Sequence, residues 1–250
     1  MQFSIATLSR SIIDTTLELV YPRICLTCGE RLGASGKMSL CRACCDAIEK
    51  NDPPFCRGCG KSIVHARETD YCPSCEKTPH HLDRSFSVAK YDGIMRECVH
   101  KFKYNGKLSL ETLFADMLAS FAEKYIDITE IDCVVSVPLH RVKLRERTFN
   151  QAAVLASSLA RRLDLPCSND NLIRTSSSKP QIKLSKTARM KDIEGSFKVK
   201  RPESIKDRSI LLVDDVFTTG ATANECARVL KESGVRSVTA LTLARGALGI

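Results

Sequence analysis

In the segment Ile210–Thr222, ILLVDDVFTTGAT, an apolar run meets two adjacent carboxylates and then a loop of small residues. The run is too continuous for a half-exposed strand and reads as a buried parallel one. Asp214 and Asp215 then fall at the carboxyl end of that strand, the edge where open α/β sheets bind ligands. Thr218, Thr219, Gly220, Ala221 and Thr222 supply backbone N–H groups and hydroxyls at the start of a helix, a ready site for a phosphate dianion. Two carboxylates accept hydrogen bonds from the two hydroxyls of a ribose and help hold Mg²⁺ nearby. The order therefore suits a sugar phosphate. The plainer alternative is a strand, an acidic turn and a threonine cap with no ligand.

A second chemistry lies upstream. Thirteen cysteines are present, and eight form the pairs Cys25/Cys28, Cys41/Cys44, Cys56/Cys59 and Cys72/Cys75. The first and third pairs are followed by Gly29 and Gly60, as in a zinc knuckle, where glycine lets the turn take a positive φ. All four ligand positions of the first set recur 31 residues later, which makes an internal repeat and favours sequential pairing into two Cys₄ sites. Each would be a closed, structural zinc site. Cys45, His65, His80 and His81 lie close by and are left out of the ligand sets, although Cys45 could replace Cys44.

Three further segments complete the chemistry. Leu139, His140 and Arg141 follow a second apolar strand, Ile131–Val137, so their loop belongs at the same sheet edge as Asp214. Arg145 and Arg147 in LRERTFNQA offer fork-shaped donors suited to phosphate, or else a basic helix start on the surface. Thr175–Gly195 carries Lys179, Lys183, Lys186, Arg189 and Lys191 and reads as a basic loop of the size used for lids, or as a solvated charged loop.

The elements that must position these residues alternate. Residues 85–92 read as a strand, Ile94–Lys103 as an amphipathic helix with Lys101 and Lys103 open to solvent, and Leu108–Tyr125 as a longer helix. Gln151–Leu163 is helical. The strand Ser209–Val213 leads to the helix Ala223–Ser233, stopped by Gly234, and Val238–Leu243 is the next strand. Alternation of strands and helices implies a parallel sheet covered on both faces. The expected organisation is an amphipathic helix within residues 1–20, a double zinc ribbon over 21–80 and an α/β domain over 83–250.

At 250 residues and 43% hydrophobic content the chain has ample material for a core, and its net charge of +9 makes anionic partners plausible. Residues 1–20 carry Arg10, Asp14 and Glu18 and lack a secretory pattern, and no stretch approaches the ~18 apolar residues of a membrane span. A cytoplasmic, reducing location is expected, in which the cysteines serve as metal ligands and not as disulfides.

The DD-x-x-TTGAT segment resembles the signature of the type I phosphoribosyltransferases, whose ligand is 5-phosphoribosyl diphosphate (PRPP). Together with Cys25–Cys75, Val137–His140, Arg145–Ala152 and Lys179–Leu184 with Arg189, it resembles the ComF/GntX-type family over nearly the whole chain. The resemblance implies an N-terminal double zinc ribbon followed by a type I phosphoribosyltransferase-like parallel sheet flanked by helices, with two zinc ions and with Mg²⁺ accompanying PRPP. It implies a link to DNA uptake, with single-stranded DNA and other DNA-uptake proteins as partners. Lys101, Lys103, Arg145, Arg147, Lys183 and Arg189 are the candidate nucleic-acid or phosphate contacts. The competing readings are an active phosphoribosyltransferase on a small acceptor and a zinc-ribbon docking protein. Two residues depart from the family pattern: Thr148 stands where glycine is usual, and Asp192 where asparagine is usual.

Overall fold

A computed structural model describes residues 22–33, 39–63, 70–78, 80–175 and 193–246. The expected helix within residues 1–20 and the segment with Lys183 and Arg189 lie outside the described residues.

The short helices α1 (Arg42–Asp46) and α2 (Pro73–Glu76) belong to the cysteine-rich part. The α/β part then runs β1 (Arg84–Lys90), α3 (Gly93–Tyr104), α4 (Leu110–Tyr125), β2 (Cys133–Ser136), α5 (Arg141–Arg147), α6 (Gln151–Leu163) and β3 (Cys167–Ser168). It continues with β4 (Leu172–Arg174), β5 (Phe197–Val199), β6 (Ser209–Phe217), α7 (Ala221–Glu232) and β7 (Ser237–Arg245). Five strands form a parallel sheet in the order β1-β7-β6-β2-β3, and β4 pairs antiparallel with β5.

The unbroken apolar run of β6 follows from its central position. Leu211 and Val213 pack on the face shared with Phe102, Phe114, Leu155 and Leu159 of α3, α4 and α6. The alternate residues Ile210 and Leu212 pack on the opposite face with Cys226, Ala227 and Leu230 of α7. With both faces covered, neither set of alternating positions has reason to be polar. Burying each such side chain contributes roughly 1.5–3 kcal/mol, so the strand that carries the two carboxylates is firmly anchored in the sheet.

β1 is an edge strand, and the cysteine-rich part covers it. Asn51 N donates to Val88 O at 3.0 Å, Lys90 N to Glu49 O at 2.9 Å and Ser85 N to Arg57 O at 3.0 Å. Asn51 Nδ2 ties Gly60 O at 2.7 Å to Ser87 O at 3.0 Å. Gly60 has a φ of +66°, and a Cβ there would lie 2.8 Å from Ser85 O, so only glycine fits this approach. An exposed row of strand donors and acceptors is thereby closed. No helix among the described residues is long and apolar enough to cross a membrane.

Candidate functional site

The two cysteine sets assemble as the repeat predicts. Cys25, Cys28, Cys41 and Cys44 form one group and Cys56, Cys59, Cys72 and Cys75 another, the ligand atoms of each lying within 4.8 Å of one another. Cys45 is outside the first group. The repeat is also conformational. Gly29 N donates to Cys25 O at 3.0 Å and Gly60 N to Cys56 O at 2.7 Å, closing equivalent knuckles. Cys41 and Cys72 occupy the N-cap positions of α1 and α2. A tetrahedron with Zn–S bonds of about 2.3 Å has S···S edges of about 3.8 Å. The Cys28–Cys41 and Cys59–Cys72 sulfurs are 3.6 and 3.8 Å apart, which fits. In the second set, hydrogen bonds from the Cys59 and Cys75 thiols hold Cys56 below the ordinary thiol range, and the same sharing with Cys56 and Cys59 drives Cys75 above it. A bound Zn²⁺ supplies the charge that lets all four ionise together.

At the other site, β6 runs on to Phe217, four residues past Val213, where β2 has already ended at Ser136. Asp214 and Asp215 therefore line a step at the carboxyl edge of the sheet. Successive strand residues face opposite ways. Asp215 meets Lys103 from α3, whose Nζ lies 2.7 Å from its Oδ1, with the two side chains only 16% and 11% exposed. Asp214 keeps an oxygen 2.8 Å from the N–H of Asp215. Desolvation and the adjacent Asp215 carboxylate push the Asp214 carboxyl up to about 7.

Beyond Phe217 the chain turns through Thr218 and Thr219 to Gly220, which has a φ of +77°, and α7 begins. A Cβ on Gly220 would run into the ring of the buried Phe217. Conformation and space both require glycine here. Thr219 Oγ1 accepts from Ala221 N at 3.3 Å. The remaining N–H groups of the first turn of α7 point out of the helix end, as in any α-helix, and carry its partial positive charge.

Of the candidate phosphate contacts, the structure brings Lys103 and Arg147 to the carboxylates, together with two cations outside that set, Lys143 and Arg174. Lys103, expected to face solvent, is turned onto Asp215, and Lys101 is held by Glu97 at 2.6 Å and by the Leu26 carbonyl of the first ribbon. Arg147 donates to Gln151 Oε1 at 3.3 Å and to the Tyr104 hydroxyl at 2.9 Å. Lys143 and Arg174 were not singled out. Partial desolvation, with Arg147, Arg174 and Lys103 close by, pushes the Lys143 ammonium below its ordinary range, so these four cations share one locality. The missed signal was helical phase. Residues 141–147 form α5, which puts Lys143 and Arg147 on one face at i, i+4 and Arg141 and Arg145 on the other; Arg141, Lys143 and Arg145 are all exposed and Arg147 is half-buried. His140 caps α5, its Nδ1 accepting from Val142 N at 3.2 Å, and Leu139 is half-buried.

Thr148, at the end of α5, has a φ of +67°, the left-handed conformation that disfavours a β-branched residue. Two residues on, Asn150 locks the turn. Its Oδ1 accepts from Ala152 N and its Nδ2 donates to Val137 O, both at 3.1 Å, joining the end of β2 to the start of α6.

The phosphoribosyl transferase domain family matches residues 150–249, and the double zinc ribbon domain family matches residues 16–76. The competence protein ComFC of Bacillus subtilis (strain 168) is 34% identical over 215 residues, which cover 82% of this chain and 84% of that one. This chain belongs to the ComF family. Other members align along almost all of their length. The DNA utilization protein YhgH of Escherichia coli (strain K12) is 28% identical, covering 91% of this chain and 99% of that one. Competence protein F of Haemophilus influenzae is 27% identical, covering 88% and 96%. The family places two structural zinc ribbons ahead of a phosphoribosyltransferase-like domain, the architecture described above.

Proposed function

We propose that this ComF protein is a cytoplasmic PRPP-binding protein that serves DNA uptake. In this reading Asp214 and Asp215 take the ribose hydroxyls and Thr218–Thr222 the 5-phosphate, with the diphosphate lying toward Leu139–Arg141 and the Lys143/Arg147 face of α5. The observation that carries it is the junction of β6 and α7: paired carboxylates at the carboxyl end of the central strand, followed by a positive-φ glycine and a helix N-terminus. The link to DNA rests on relatives named for competence and DNA utilization, and on the excess of positive charge. Transfer from PRPP would break the bond from C1 to the diphosphate and form one to an acceptor nucleophile. Positioning and neutralisation of the departing charge would supply the catalysis.

Calorimetric titration of the full-length protein with PRPP tests the binding. Saturable binding is expected in the wild type. Asp214→Ala/Asp215→Ala is expected to weaken it by at least about 100-fold, from the loss of two charge-assisted hydrogen-bonding groups. Unchanged affinity in the double variant would overturn the site. Single-stranded DNA should bind at low salt and weaken steeply as salt rises. Absence of DNA binding at low salt would leave a PRPP protein without a direct role on DNA.

A further inference from the structure

The family implies Mg²⁺ beside PRPP, with the paired carboxylates as its natural protein-side ligands. The residues present do not fit a divalent cation there. Mg²⁺ demands near-ideal octahedral oxygen coordination at about 2.0–2.1 Å and binds through carboxylates free to turn toward it. Asp215 Oδ1 is instead taken by Lys103 Nζ at 2.7 Å, in a pair largely shielded from water. An ammonium already paired with that carboxylate oxygen neutralises it and repels a second cation. Asp214 is engaged as well, its Oδ1 accepting from the N–H of Asp215 at 2.8 Å. Lys103 does not wander there from a loose loop. It sits in the last turn of α3, whose Phe102 is fully buried, and Gln151 Nε2 donates to its carbonyl at 3.3 Å. Lys143 and Arg147 stand close enough to supply further positive charge for a polyanion.

We propose that Lys103 takes the place of the divalent cation at the Asp214–Asp215 pair, so that this protein holds PRPP without Mg²⁺. Lys103 is thus a positioning residue. It fixes Asp215 for a ribose hydroxyl and neutralises the acidic pair as the polyanionic ligand arrives. This inference rests on the PRPP reading for its ligand, but the charge substitution can be tested apart from it.

The test is calorimetric titration of PRPP into full-length, zinc-loaded protein that has been dialysed free of other divalent ions, with and without added Mg²⁺. Wild-type affinity in the two conditions is expected to agree within about threefold. Affinity weaker by tenfold or more without Mg²⁺, on the order of 1.4 kcal/mol, would overturn the proposal. Lys103→Met is expected to lose about tenfold or more without Mg²⁺, because it leaves a shielded carboxylate unpaired, and to recover on adding Mg²⁺. Lys103→Arg should stay independent of the metal. An equal loss in Lys103→Met with and without Mg²⁺ would reduce Lys103 to a structural role and also overturn the proposal. A second readout needs no PRPP: electron paramagnetic resonance with Mn²⁺ as probe. Mn²⁺ should occupy the carboxylate pair in Lys103→Met and not in the wild type, with Asp214→Asn/Asp215→Asn marking unrelated sites. Mn²⁺ bound by the wild-type pair contradicts the proposal. Failure of PRPP to bind under every condition rejects the proposed ligand, and the Mn²⁺ result then decides the role of Lys103 alone.

Discussion

Asp214 has the most unusual environment of the site residues, and its energetics carry a definite sign. Its ordinary value is 3.8, and desolvation, with Asp215 alongside, raises it to about 7 against the opposing pull of Lys103 and Arg147. The folded state therefore holds a proton that the unfolded state releases. Between pH about 4 and about 7 the unfolded chain binds fewer protons, so stability falls as pH rises through this window. Asp214→Asn removes the charge and keeps the shape. The variant should melt higher than the wild type at pH 8, by an amount equivalent to at most about 4 kcal/mol, and the difference should vanish near pH 4. Thermal melts across pH 4–8 check this, and a melting difference independent of pH would contradict it. In its proposed role at a ribose hydroxyl, Asp214 trades stability for chemistry, as functional sites often require.

At the scale of elements, what was legible was local. The apolar run of β6, the bounds of α6 and the 31-residue cysteine repeat all declare themselves within a few consecutive residues. The pairing of Lys103 with Asp215 does not, because it joins the end of α3 to the end of β6, more than a hundred residues later in the chain. Lys101, expected to face solvent, is held by Glu97 and by the Leu26 carbonyl of the first ribbon, while Arg96 and His100 of the same helix stay exposed. LRERTFNQA reads as fork-shaped phosphate donors or as a basic helix start, whereas α5 already runs from Arg141 to Arg147, and its phase decides which cations face the site. The turn that ends α5 keeps a trace of this local conflict. Thr148 stands at φ +67°, where a β-branched residue is strained by roughly 1–2 kcal/mol. Thr148→Gly should therefore stabilise the protein by about 1 kcal/mol, seen as a higher urea midpoint at unchanged slope. A lower midpoint would mean that the contacts of the threonine outweigh its backbone strain.

For the molecule as a whole, the ribbons are parts of the α/β domain and not appendages to it. Cys25, Leu40, Cys44 and Ile48 of the first ribbon lie in the same buried cluster as Phe102, Phe114 and Leu118. Ser39 Oγ donates to Ser109 O at 2.7 Å, tying that ribbon to the start of α4. The second ribbon closes the edge of β1 and reaches the far side of the sheet, where His81 N donates to Asn224 Oδ1 at 2.7 Å in the first turns of α7. Zinc bound in either set should therefore stabilise the sheet and the loop that opens α7, because binding to the folded chain alone is folding free energy. Stripping both ions with a chelator should release two equivalents of zinc and lower the melting temperature of a single cooperative transition by more than about 10 °C, given the ~10–16 kcal/mol typical of a structural zinc site. Scanning calorimetry with a colorimetric zinc assay measures both quantities. Stripped protein should also aggregate on warming, since the uncovered edge of β1 becomes free to pair with another chain. A second transition at the original temperature, indifferent to zinc, would show instead that the sheet folds without its ribbons. The edge contacts from Glu49, Asn51 and Arg57 to β1 would then be dispensable.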